Sequence, residues 1–445
     1  MSDEPLDDDF DDTPPPDDDK DHPSTLGLLC GEPEPPQVFE VMQRLERAGY
    51  KVETLSEDGW EGVVWARVLK LDDSPHAVRL WCQARNPEFR PWEWTAARWR
   101  DEEEFESTKR ARWMLMIQTT YEADDEPNDH YHTHLRLADV ISDGLATAVI
   151  DTNAMSLRSK TTLQDLAECR VPPAPEELYE IHVVKDEDNF WLHTHGLRRF
   201  EVPELEVIGV PRDCFQDAYS AFQWLIAYVL PVYIPAKGLE LSFGSDVNIR
   251  LMPWDEVIKH IPRDTLGGAD DREHEEHCGW RLVVSDQVEG YSIQQFLRSI
   301  KGDPIFWLSD EENARRAHLA QVRFGHAAAA WYSTQFDERR MGVKVGVPYT
   351  DERKDLYEHL QDEELPKGAS REHMWFELLA IEGKTLIAKL DSEPVYATYM
   401  KKGDTYRLPI NQLSEFNLVL DGDYYNPQTI TELDQVTLRT GIPRH

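Results

Sequence analysis

At 445 residues, with 40% hydrophobic residues and 14 Trp, the chain has enough apolar material for two or three compact units and too much for a disordered protein. Its 85 acidic residues against 47 basic ones give a formal net charge of −38, which argues against direct binding to bare nucleic acid or to an anionic membrane surface. The five cysteines, Cys30, Cys82, Cys169, Cys214 and Cys278, are scattered singly and odd in number, so a disulfide framework or a cysteine-rich zinc site is not expected; reduced, mostly buried thiols are.

In chain order, the first 24 residues hold eleven acids and one Lys among Asp and Pro runs, too little apolar surface to offset ordering entropy, and read as a disordered acidic tail over 1–24. That start carries neither a basic patch nor an apolar run, so no ordinary secretory signal is expected and the cytoplasm is the expected location. Val38, Val41, Met42 and Leu45 recur at helical spacing and Gly49 ends that helix. Gly62 to Leu71 and His76 to Ala84 form a hairpin. Asp101 to Arg110 reads as a helix and Trp113 to Tyr121 as a strand. Asn128-Asp129 would cap a helix reaching Ser142, and Ala146 to Asp151 follows as a strand. Next come a helix over Thr161 to Glu168, strands at Leu178 to Val184, Phe190 to His195, Glu204 to Val210 and Leu239 to Phe243, and an apolar helix from Asp213 to about Leu230. The most apolar run, Phe222 to Ile234, is too short to span a membrane and contains Gln223. The irregular order of helices and hairpins predicts an α+β fold with mixed or antiparallel sheets and packed helices over 25–308, open to division into two subdomains. A Pro-free helix over 309–335 would link this region to a small, mostly β domain at 336–445, with strands at Val343 to Val347, Met374 to Ile381, Thr385 to Leu390 and Thr405 to Leu408.

The last domain has spaced landmarks: Met341-Gly342-Val343-Lys344-Val345, Arg371-Glu372-His373-Met374-Trp375-Phe376-Glu377, Gly383, Ala388-Lys389-Leu390-Asp391-Ser392-Glu393-Pro394 and Lys402-Gly403-Asp404. These resemble the YegJ-like bacterial domain of unknown function, departing from it at Ser414-Glu415-Phe416 and Ala388. Upstream, Trp191-Leu192-His193-Thr194-His195-Gly196-Leu197 leading to Pro203-Glu204-Leu205-Glu206 resembles the landmark of another uncharacterised bacterial domain. Neither resemblance implies an activity. Similar small bacterial domains include immunity proteins of toxin systems, which by analogy implies protein binding.

Among chemical constellations, His193 and His195 stand at i and i+2 on a strand, share a face, and could chelate a divalent metal with Glu204 or Glu206. The plainer alternative has them fixing a strand end before Gly196 turns the chain, and no metal or cofactor is expected. His130 and His134 share a helix face with His132 pointing elsewhere, and read as partly solvated helix-start residues. His274, His277 and Cys278 lie in an acidic loop with nothing to enforce a tetrahedral set. His373, Trp375 and Glu377 alternate with Met374 and Phe376, so they form either an aromatic binding patch or, for Trp375, part of the core of a small sheet. No phosphate-loop, dinucleotide, zinc-protease or nucleophile-elbow motif occurs. The expected function is therefore that of a bacterial, non-catalytic module binding another protein, a basic toxin or effector as immunity proteins do, with the acidic region steering the encounter. Two alternatives are a metal-assisted hydrolase centred on His193 and His195, and an acidic phosphate-mimicking decoy of nucleic-acid-binding proteins.

Overall fold

The end of the expected tail is where the first sheet begins. The computed structural model describes residues 23–57, 59–72, 76–94, 102–122, 125–230, 239–243, 247–272, 281–287, 290–299, 310–334, 339–348, 371–420, 422–427 and 429–430. Most of the expected acidic tail, and the group His274, His277 and Cys278, lie outside them.

The chain divides into two compact units, Met1–Phe306 and Trp307–His445. The first opens with β1 (Ser24–Cys30), α1 (Val38–Arg47), β2 (Val52–Ser56), β3 (Val63–Leu71), β4 (Ala77–Ala84), α2 (Glu102–Lys109), β5 (Trp113–Thr119), α3 (Pro127–Ser142), β6 (Ala146–Asp151), β7 (Ser156–Ser159) and α4 (Lys160–Glu168). Their seven strands form one antiparallel sheet in the order β2-β3-β4-β5-β1-β6-β7. β1 sits inside it because Leu26, Leu28 and Cys30 face the core under α1 and α3, while Leu29 faces a second cluster with Met114, Met116 and Ile150. α3 starts at Pro127, whose missing N–H costs nothing at a first helical position. Asn128 does not cap it; its side chain donates to the Pro173 carbonyl at 2.7 Å.

The unit continues with β8 (Glu180–Lys185), β9 (Asn189–His195), β10 (Glu204–Pro211), α5 (Phe215–Val229), β11 (Leu239–Phe243), β12 (Val247–Pro253), α6 (Trp254–Val257), β13 (Arg281–Ser285) and α7 (Gln294–Ser299). The second sheet runs β11-β12-β13-β10-β9-β8, antiparallel except for β10 with β13. α5 lays Ala218, Ala221, Phe222, Leu225 and Ile226 on one face of it, in a core continuous with that of the first sheet. The fold is thus α+β.

The second unit holds α8 (Asp310–Ser333) and β14 (Arg340–Pro348), β15 (Arg371–Glu382), β16 (Thr385–Leu390), β17 (Thr405–Pro409), β18 (Leu413–Leu420) and β19 (Asp423–Tyr425). All strand pairings are antiparallel, in the order β17-β16-β15-β14-β18-β19. Ala320, Phe324, Ala327 and Trp331 of α8 share one core with Val343, Val345, Phe376 and Phe416, so the helix expected to be a link is part of this unit.

Cys30 and Cys82 are 1% and 0% exposed, and burial pushes their thiols up to about 12 and about 11. Since the thiolate is the reactive form, iodoacetamide at pH 8 should leave both unmodified in the native protein and label both after denaturation. Rapid native labelling of either would contradict this core.

Candidate functional site

The register of β8 and β9 sets His182 opposite His193 and Glu180 opposite His195. Because residues two apart on a strand share a face, and paired residues do too, three imidazoles meet on one side of the sheet. Ring centroids are 5.6 Å apart for His182 and His193, 4.4 Å for His182 and His195, and 5.1 Å for His193 and His195. One ring nitrogen from each lies within 4.8 Å of the other two. His193 is buried, its ring tilted by 35° against that of Trp191 with centroids 4.3 Å apart; His182 and His195 are half-buried.

Burial, then the neighbouring His195 and Arg281, push the His193 pKa down to about 2. Burial and His195 push His182 to about 4. Both rings are therefore neutral at pH 7, the state in which imidazole ligates a metal. The Nδ1 of His193 and the Nε2 of His182 are buried atoms with no hydrogen-bond partner among the described residues. Arg281 stands in register with Glu204 on the neighbouring parallel strand, is buried, and has an Nη1 without such a partner.

The two carboxylates expected to join the histidines both hold other groups, with the Oε1 of Glu206 buried and without a hydrogen-bond partner among the described residues. Glu204 accepts the Thr194 hydroxyl at 2.6 Å and the backbone N–H groups of Gly196, Leu197 and Arg198 at 2.8, 3.0 and 3.3 Å, holding the turn after β9. That turn needs Gly196: its φ is +114°, and a Cβ there would stand 2.9 Å from the Leu178 carbonyl oxygen. Glu206, opposite His193 on β10, accepts Trp191 Nε1 at 2.8 Å and Arg272 Nη2 at 2.7 Å through one oxygen. The third member of the imidazole group is His182, which sequence spacing does not point to. Its only signal is an isolated His on an adjacent strand, and pairing register alone brings it in.

The helix histidines are buried and not partly solvated as expected: His130, His132 and His134 are 9%, 3% and 1% exposed. α3 presents His130 and His134 to β5 because they are four residues apart, one turn along the same face. His134 Nε2 lies 3.1 Å from the Ile117 carbonyl, and its Nδ1 lies 3.0 Å from Ser24 Oγ. A carbonyl only accepts, so Nε2 carries the proton.

A buried ion pair ties the two sheets of this unit together. Arg199, beyond β9, places Nη1 2.9 and 2.8 Å from the two oxygens of Asp151 at the end of β6, and donates through Nη2 to the Leu178 carbonyl. Tyr131 of α3 donates to Asp151 at 2.7 Å and accepts from Arg158 at 2.8 Å. Burial alone would raise the Asp151 pKa, but Arg199 and Arg158 overcome it and hold the carboxyl below its usual range.

In the second unit, Met374, Phe376 and Leu378 fill the core, and His373, Trp375 and Glu377 lie on the opposite face, so the core alternative for Trp375 does not hold. His373 Nδ1 is 2.8 Å from Ser414 Oγ, and Lys344 Nζ sits 5.6 Å from the Trp375 ring centre.

Two stretches match families. Residues 181–284 match a family described as a protein of unknown function (DUF4026), C-terminal, and residues 337–438 match one described as an uncharacterized protein conserved in bacteria (DUF2314). Both regions where the sequence resembled bacterial domains fall inside these matches, whose descriptions do not confirm the YegJ-like assignment or the landmark motif. No curated protein and no solved structure matches the chain. His182, His193, His195, Glu204, Glu206, Arg272 and Arg281 lie in the first matched stretch, and His373, Trp375 and Glu377 in the second. No described helix is long and apolar enough to cross a membrane.

Proposed function

We propose that the first unit binds a divalent transition metal through His182, His193 and His195, with metal-assisted hydrolysis as its reaction class. The observation that carries this reading is the convergence of three imidazoles, two of them held neutral, within 4.8 Å. Zn–N bonds of about 2.0–2.1 Å place tetrahedral ligand nitrogens about 3.3 Å apart, so side-chain rotations of roughly an ångström close the set. Three protein ligands leave a fourth position, the pattern of catalytic rather than structural zinc, and the half-exposure of His182 and His195 gives solvent or substrate a way in. When bound, the ion supplies Lewis acidity and an activated water. Arg281 adds a buried guanidinium close enough to lower the basicity of His182 and His193, which suits an anionic substrate group.

Zinc titration of chelator-stripped protein, followed by competition with a chromophoric chelator, tests this. His193→Ala and His182→Ala should each weaken zinc binding at this site by about 100-fold or more, as loss of a direct ligand exceeds the 10–100-fold cost of losing an outer partner. Equal zinc uptake by a variant lacking all three imidazoles would overturn the reading.

Docking of a basic protein keeps two supporting observations, the half-exposed Trp375 between the exposed His373 and Glu377 on the face of the second unit's sheet away from its core, and the net charge of −38. On that reading Trp375→Ala lowers the affinity for an oligolysine probe in calorimetry; unchanged affinity removes this face from consideration.

A further inference from the structure

Away from the three-histidine face, a cleft of about 320 Å³ lies between α3 and the adjoining ends of β4 and β5, lined by His76, Thr119, Asp125, Glu126, Asp129 and His130 among others. In it His76 Nε2 and His130 Nδ1 stand 2.7 and 3.3 Å from the same oxygen, Asp125 Oδ2. We infer that His76, Asp125 and His130 form a second divalent-metal site, a two-histidine, one-carboxylate set whose remaining coordination positions open on the cleft.

Three features of the geometry support it. The three ligand atoms lie within 4.8 Å of one another, and metal–ligand bonds of about 2.0–2.2 Å set neighbouring ligand atoms about 2.9–3.5 Å apart, close to the separations seen. Each imidazole also has an acceptor for its other nitrogen: His76 Nδ1 is 3.1 Å from Glu122 Oε1, and His130 Nε2 is 3.1 Å from Thr119 Oγ1. Metal ligands nearly always have such an outer partner, which fixes the tautomer and aims the free lone pair at the ion. Finally, Glu122, Glu126 and Asp129 surround the set, so the field at the cleft favours a cation. All three ligands lie outside both family-matched stretches, so this site stands independently of the one proposed above.

Titration of the full, chelator-stripped chain with Co²⁺, read by visible absorption and calorimetry, separates the two sites. The wild type should take up two equivalents. Asp125→Asn and His76→Ala should each abolish or weaken one equivalent by about 100-fold, and Glu122→Gln should weaken the same one by about 10-fold. The absorption of the other equivalent should be untouched in these variants and lost in His182→Ala/His193→Ala. Mn²⁺ broadening of the His76 and His130 ring signals in the wild-type protein supplies a reading that no substitution can confound. Unchanged stoichiometry and affinity in Asp125→Asn, or unbroadened rings at saturating Mn²⁺, would show that His76, Asp125 and His130 form an ordinary ion-pair cluster.

Discussion

Arg199→Met should lower the unfolding free energy of the first unit by about 3–5 kcal/mol, a large part of the roughly 5–15 kcal/mol typical of a folded domain. Arg199 is 1% and Asp151 2% exposed, so removing the guanidinium leaves a carboxylate with no route to water. The remaining bonds from Tyr131 and from the Asn153 and Ala154 N–H groups, at 3.1 and 3.0 Å, are dipoles, and Arg158, hydrogen-bonded to Tyr131 and not to the carboxylate, offsets the charge only from a distance. Arg199 also lies 4.6 Å from the Tyr131 ring centre and 5.1 Å from that of Phe200, so its plane contributes packing as well as charge. Arg199→Lys should therefore rescue little, because an ammonium cannot both bridge Asp151 and reach the Leu178 carbonyl. The pair Arg199→Met, Asp151→Asn should recover part of the loss, since it leaves no buried charge uncompensated. Urea unfolding measures all three; a cost below about 1 kcal/mol for Arg199→Met would show that the pair is solvated in solution.

This network also marks where sequence reading stops. Elements whose own residues decide them were legible: Thr385–Leu390 and Ala146–Asp151 alternate or run apolar between turn residues, and Phe215–Val229 repeats at helical spacing. β1 was not, because Ser24–Cys30 is a short apolar run between an acidic segment and a Pro-rich one, and it becomes a central strand only through partners some 90 and 120 positions away. The site divides the same way. His193 and His195 could be placed on one face from their spacing alone, whereas His182 joins them by strand register, and His76 reaches Asp125 and His130 by the packing of α3 against β4 and β5. Glu204 and Glu206 stood at the right spacing to be ligands, but unsatisfied backbone N–H groups and a buried Arg compete for carboxylates, and those partners are visible only in three dimensions.

Stability should fall steeply as the pH drops below 6.5, and His134 should account for about one proton of that dependence. Burial pushes its pKa from 6.5 down to about 3, and the nearby His130 and Arg199 add to the shift. Above pH 6.5 the ring is neutral whether the chain is folded or not, so the group contributes nothing to the pH dependence. Below it, the unfolded chain takes up a proton that the folded protein refuses, because Nδ1 faces the Ser24 hydroxyl in a site without solvent; folding loses stability from pH 6.5 down to about pH 3. At pH 4.5 the loss from this one residue is about 2–3 kcal/mol, from 1.36 kcal/mol per pH unit. His134→Gln retains an amide donor for the Ile117 carbonyl and cannot titrate. The variant should be less stable at pH 7.5, because a flexible amide fits a ring-shaped site less well, yet its stability should decline more slowly on acidification. The other buried histidines titrate alike in both proteins, so the difference in slope between pH 6.5 and 4.5 isolates His134. Identical slopes for variant and wild type would mean that this ring reaches water and takes up its proton in the folded state.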